Sequence, residues 1–192
     1  MRIFLVGLVF LMAAGSTRAQ TQEAGPREGL GDGAILYGGD FAFMVGAPED
    51  WVIDSRIGRQ IGVLAVMYPR DPGWADAAAV IYVAHFEKGD TLTFAQAVAL
   101  DFEQLRAESP GIVIERAGSI PTNTPTTVEV YHTAHDRHGN YDAVTFIDQA
   151  NVVVTVVLTA RTAEAFAATR PTYENVVASY SYMARVPETP RP

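Results

Sequence analysis

Four histidines and the acids near them are the side chains of this sequence whose types could do chemistry. His132, His135 and His138 recur at intervals of three, with Asp136 between the last two. Imidazole nitrogens and a carboxylate are donors that a zinc-like ion takes. On a helix this spacing would gather them on one face. The surrounding residues read instead as a strand running into the turn Asp136-Arg137-His138-Gly139-Asn140, and neighbouring strand positions point to opposite sides. His132 and His135 are therefore expected to splay, leaving three solvated histidines around a hairpin end and no tight metal site. His85, near the end of an apolar strand, reads as a hydrogen-bonded boundary residue.

Other catalytic arrangements have no footing in the chain. There is no Gly-x-Ser-x-Gly, and no strand-to-helix elbow surrounds a serine. Glu49-Asp50, and Glu87 with Asp90, suit turns and caps better than an acid-base pair. Glycines at 29–33 and 38–39 precede strands, not a helix N-terminus, so no phosphate cradle is expected. The sequence contains no cysteine, which excludes thiol nucleophiles, thiolate metal sites and a lipid-modified cysteine. No catalytic residue and no cofactor is assigned, and the expectation is a protein that is not an enzyme. The pair that suits binding is Tyr68 and Trp74, at the start and within a turn-rich connector. A tryptophan there either covers a hydrophobic edge, the reading ranked first, or anchors a partner.

The first residues carry an address. Arg2 precedes an apolar run over 3–14, shorter than the roughly 20 residues of a membrane-spanning helix, and Thr17-Arg18-Ala19 supplies a small-residue exit. This predicts a signal peptide over 1–19, cleavage near Ala19, and a periplasmic or secreted product with no transmembrane segment. Its loss removes Arg2 and Arg18 and no acid, taking the formal charge from −8 to −10. An acidic surface repels phosphate backbones and anionic headgroups, so no nucleic-acid partner is expected.

These residues must be positioned by a single domain. Residues 20–33 read as a flexible glycine-rich leader and 187–192 as a proline-rich tail, with one domain over 34–186 between them. Strand patterns occupy 40–45, 51–53, 61–68 and 78–87. Phe94, Val98, Phe102 and Leu105 then recur at helical spacing, which places Asp101, Glu103 and Arg106 largely off that face. Thr93 with Gln96 fits a capping box, with Asp90 or Thr91 as the alternative caps. Strand patterns return at 111–117, 126–134, 141–148 and 152–160, the last apolar or β-branched on both faces and so covered on both sides. Helical character closes the chain over 162–183, kinked or restarted at Pro171. Strands, helix, strands, helix is the order of an antiparallel α+β sandwich.

The chain resembles the PsbP-like (Mog1/PsbP/DcrB-type) proteins. The resemblance is carried by Phe41-Ala-Phe-Met-Val, Pro48-Glu-Asp-Trp51, Thr91-Leu-Thr-Phe94, and Phe166 with Pro171-Thr-Tyr173, Val176-Val177 and Ser179-Tyr180. Tyr68-Pro69, Trp74 and Gly139-Asn140-Tyr141 are similar to exported bacterial members. The resemblance implies an antiparallel sheet sandwiched by helices. It also implies an accessory or binding role in the bacterial envelope, toward an envelope protein or a small ligand. The runner-up is a metal-binding or hydrolytic protein using the hairpin of His132, His135, Asp136 and His138.

Overall fold

The computed structural model describes residues 33–38, 41–88, 91–124, 126–149 and 151–183. The expected signal peptide, the tail and all of the leader except Gly33 lie outside these residues. In chain order the elements are β1 (Gly33–Tyr37), β2 (Ala42–Gly46), β3 (Trp51–Asp54), α1 (Ser55–Ile61), β4 (Ala65–Pro69), β5 (Ala79–Glu87), α2 (Phe94–Glu108), β6 (Val113–Pro121), β7 (Thr127–Ala134), β8 (Tyr141–Asp148), β9 (Val152–Ala160), α3 (Ala163–Ala178) and β10 (Ser181–Met183). The fold is α+β, with an antiparallel sheet of order β3-β4-β5-β9-β8-β7-β6 and a small sheet of order β1-β2-β10. Among the described residues no helix is long and apolar enough to cross a membrane.

The large sheet is organised around β9. Its Val and Thr side chains favour extended backbone, and every residue except Val157 is buried. Alternation sends Val152, Val154, Val156, Leu158 and Ala160 to one face, where they join Phe43 and Val45 of β2 and Tyr173, Val176 and Val177 of α3. Val153 points to the other face, toward Ala97 and Val98 of α2. Coverage on both sides, read from the sequence, is what the structure shows.

Local signals fix the helices. The Thr93 hydroxyl accepts from the Gln96 N–H (3.3 Å), and the Gln96 side chain accepts from the Thr93 N–H (2.9 Å), completing the capping box at the start of α2. Helix α1 was expected to be loop and strand. Asp54 caps it by accepting the Ile57 N–H at 2.8 Å, and Gly62 ends it at φ +82°. The few apolar residues in and just past it, Ile57, Ile61 and Val63, alternate as readily as a strand's, and the cap residues alone distinguish the two. A Cβ on Gly58 would stand 2.8 Å from the Ala65 Cα, so α1 lies this close to β4 only with glycine there.

The C-terminal segment also differs from expectation. Helix α3 ends at Ala178, and residues 181–183 form β10 against β2. The Ser179 hydroxyl donates to the Val176 carbonyl (2.6 Å) and accepts from the Gly46 N–H (2.7 Å), tying the helix end to the small sheet. Pro171 sits inside a continuous helix. It and Ala167, whose carbonyl it leaves unpaired, are both exposed, so water can take the missing bond.

Two buried tyrosines differ in how their hydroxyls are satisfied. Tyr173 Oη donates to the Val156 carbonyl (3.3 Å) and lies 2.6 Å from Thr145 Oγ1, whereas the buried Tyr180 Oη has no partner among the described residues. Tyr173→Phe is expected to cost about 1–2 kcal/mol, and Tyr180→Phe to be neutral or stabilising. Urea unfolding of both variants checks the contrast.

Candidate functional site

Two apolar clusters occupy the α2 face of the large sheet. Ala97 and Val98 of α2 pack on Val144, Phe146 and Val153, and Phe102 stands edge-on to Tyr131 (4.9 Å) and Phe146 (5.4 Å). Farther along the sheet Val63, Val66, Ala77, Val80 and Tyr82 gather beneath Ile57, Ile61, Tyr68 and Trp74. A cavity of about 110 Å³ draws its walls from both clusters, including Val63 and Tyr82 from one and Phe86, Phe102 and Val144 from the other.

The floor of this cavity is polar. Thr159, Asp142 and Thr133 lie side by side on β9, β8 and β7 by strand register. Thr159 Oγ1 donates to Asp142 Oδ1 (2.7 Å) and Thr133 Oγ1 to Asp142 Oδ2 (2.9 Å). A carboxylate only accepts, so Thr159 has spent its single proton and the Tyr82 hydroxyl, 2.8 Å away, must donate to it. Burial pushes the Asp142 carboxyl up to about 6, opposed by the two hydroxyl bonds.

Asp101 closes the cavity from the α2 side. It is 6% exposed and lines the cavity, yet its carboxyl has no hydrogen bond among the described residues. Burial, and then the charge of Glu108, raises it to about 7. A buried carboxyl without protein donors is expensive, since burial strips part of its hydration and no protein hydrogen bond replaces it. The sequence reading placed Asp101 off the buried face, and the structure reverses this. Three residues after Val98 and four before Leu105, it falls within the stripe that those residues define.

A second groove, of about 400 Å³, runs along the other flank of α2. Its acids are already partnered. Glu129 accepts from Arg116 (2.7 Å) and from the Tyr131 hydroxyl (2.6 Å), and Asp148 pairs with Lys88. The first cavity, by contrast, presents a buried acid, Asp101, with no hydrogen bond to its carboxyl among the described residues.

The sequence matches no family model and no curated protein. The fold does match solved structures. A cyanobacterial PsbP from Synechocystis, CyanoP, superposes with a TM-score of 0.53 at 11% identity, covering 84% of this chain and 98% of that one. LpqN from Mycobacterium tuberculosis, described as involved in cell envelope biogenesis, superposes with a TM-score of 0.53 at 15% identity, covering 79% of this chain and 90% of that one. The chain has the PsbP-like fold.

In this PsbP-like fold the four hairpin residues do not converge. His132 lies on the α3 face, its ring edge-on to Phe166 at 5.1 Å, and burial lowers its pKa. It is half-buried, where a solvated residue was expected. His135 is exposed at φ +63°. Asp136 Oδ1 accepts from the N–H groups of His138 (2.9 Å) and Asn140 (2.8 Å), and Oδ2 from the Asn140 amide (3.2 Å), so this carboxylate holds the turn. His138 Nε2 accepts from Arg137 Nε at 2.9 Å. The Ser109 hydroxyl, just past α2, accepts the Arg137 N–H at 3.1 Å. That bond fixes the turn as the rim of the cavity, where Asp136 and His138 line it. Among the described residues no group of three or more His, Asp or Glu side chains is placed to hold a metal ion.

Tyr68 and Trp74 meet at the opposite end of the same face. Their rings are 5.9 Å apart, the Tyr68 hydroxyl donates to Asp54 Oδ2 (3.2 Å), and Trp74 lies half-buried on the second cluster. Sequence reasoning missed Tyr82, Asp101, Thr133, Asp142 and Thr159. The available signal was phase, because Asp142 alternates with Val144 and Phe146 just as Asp101 shares the stripe of Val98.

The raised pKa of Asp101 has a definite stability sign. The folded state keeps a proton that the unfolded chain, at the ordinary 3.8, has released. Asp101 therefore weakens the fold increasingly from pH about 4 to about 7, and by a constant amount above that. Asp101→Asn is expected to gain about 2 kcal/mol on the wild type between pH 5 and pH 8, read by urea unfolding at both. Trp74→Ala is expected to cost about 3 kcal/mol in the same assay, by removing the cover of the second cluster.

Proposed function

We propose that this is an exported, non-catalytic accessory or binding protein of the bacterial envelope, and that the cavity under α2 holds a small ligand. The observation that carries the reading is Asp101. A carboxyl buried in a cavity without a protein donor is destabilising unless something else supplies the donor, and a bound ligand can do so. The cavity sits between a helix and a rigid sheet, a setting suited to binding without rearrangement.

The polar strip favours binding over turnover. An attacking threonine needs its oxygen free and its proton drawn off by a base. The Thr159 proton does point at Asp142, but its oxygen accepts from Tyr82, and the residue is buried in β9. Export is supported by Arg2, the apolar run over 3–14 and the Thr17-Arg18-Ala19 exit. The envelope assignment is supported by the PsbP-like fold and by the description of LpqN.

Two measurements test this. Intact mass of the protein recovered from the periplasm or medium is expected to begin at Gln20, and a retained Met1 would contradict export. A thermal-shift panel of small metabolites is expected to raise Tm for at least one chemical class. That shift should disappear in Ala84→Leu, which fills the cavity. Turnover of a panel member would contradict the non-catalytic reading.

A further inference from the structure

We infer that the cavity takes a compact primary amine, its ammonium group on the Asp101 carboxylate and its apolar body against the walls. This rests on the reading of the cavity as a ligand site and adds the class of ligand.

The hydrogen-bond arithmetic points to a multiple donor. An ionised carboxylate offers about four acceptor positions, and those of Asp101 are unfilled among the described residues. The three hydroxyls of the strip cannot swing to it without giving up bonds already made, Tyr82 its bond to Thr159, and Thr159 and Thr133 their bonds to Asp142. An ammonium brings three donors to a single site.

The charges point the same way. Glu108 on α2, Asp142 on β8 and Asp136 in the turn face the cavity with Asp101. The bases along its lining are His85 on β5 and Arg137 and His138 on the rim. All three are exposed, and Arg137 and His138 are engaged with each other. The interior therefore favours a cation over an anion. A charge-assisted bond to a buried carboxylate is also about twice as strong as the bond that a neutral hydroxyl would make.

Volume and walls set the body of the ligand. A cavity of about 150 Å³ is known to hold benzene, and this one is about 110 Å³. Ala84, Phe86, Phe102, Leu105, Val144 and Val157 supply apolar wall. A short alkyl chain fits such a space.

Binding of n-butylamine and n-butanol, compared by calorimetry and NMR at pH 8, tests the inference. The two probes share shape and differ in charge. Butylamine is expected to bind the wild type at least about tenfold more tightly than butanol, and to lose at least about tenfold in Asp101→Asn. Butanol affinity should be unchanged by that substitution. Since Asp101→Asn removes a destabilising charge, the variant is expected to fold, and Ala84→Leu provides a second, uncharged block that should abolish both probes. Equal affinity for the two probes, indifferent to Asp101→Asn, would overturn the amine inference while leaving a ligand site. Binding of neither probe at millimolar concentration would overturn both.

Discussion

A strand of almost uninterrupted Val, Thr and Leu cannot leave either face in water, and the need to cover both faces of β9 arranges the other elements. Its neighbours β5 and β8 extend the apolar surface on each side. One face is sealed by α3 and the small sheet, with large side chains such as Phe43, Tyr173 and Tyr180 fully enclosed. Each fully buried aliphatic or aromatic side chain contributes roughly 1.5–3 kcal/mol, so the integrity of this layer dominates the stability of the fold.

The opposite face is covered less completely, and that incompleteness creates the site. Helix α2 lies over one end of the face, while α1 and the connector bearing Trp74 lie over the other. Neither cluster reaches fully across, and the strip between Tyr82 and Thr133 is polar. Asp142 is reconciled to its position by two hydroxyl donors, whereas Asp101 is not reconciled to its own. One acid is held by two hydroxyls, and the other has no hydrogen bond to its carboxyl among the described residues. The hairpin turn, stitched by Asp136 and anchored to Ser109, forms a fixed rim that holds the mouth of the cavity in place.

Much of this architecture was legible in the sequence, and the failures have physical causes. The β8 and β9 strands and the two-sided coverage of β9 follow from side-chain pattern alone, because long periodic segments leave one solution, whereas Thr93, Thr91 and Asp90 suit the cap of α2 equally by residue type. The short elements do not follow from pattern. Helix α1 has too few apolar positions to separate a helical from a strand period, and β10 exists because β2 offers it an edge. Asp101 lies at a stripe position, but a stripe defined by apolar residues alone assigns an acid there to the polar surface. The histidines attracted attention by type, but their positions on opposite faces and around a turn keep them apart. At a site, the phase of a residue within its element says more than its chemical type.

The central claim is that Asp101 is a buried, donor-poor carboxyl awaiting a cationic partner. The most direct measurement is an NMR titration of the Asp101 carboxyl carbon, with and without n-butylamine. The free protein is expected to show a midpoint near 7, where an ordinary aspartate shows 3.8. Added amine should lower the midpoint, because a cation favours the ionised form. A midpoint in the ordinary carboxylate range, unmoved by amine, would contradict the account.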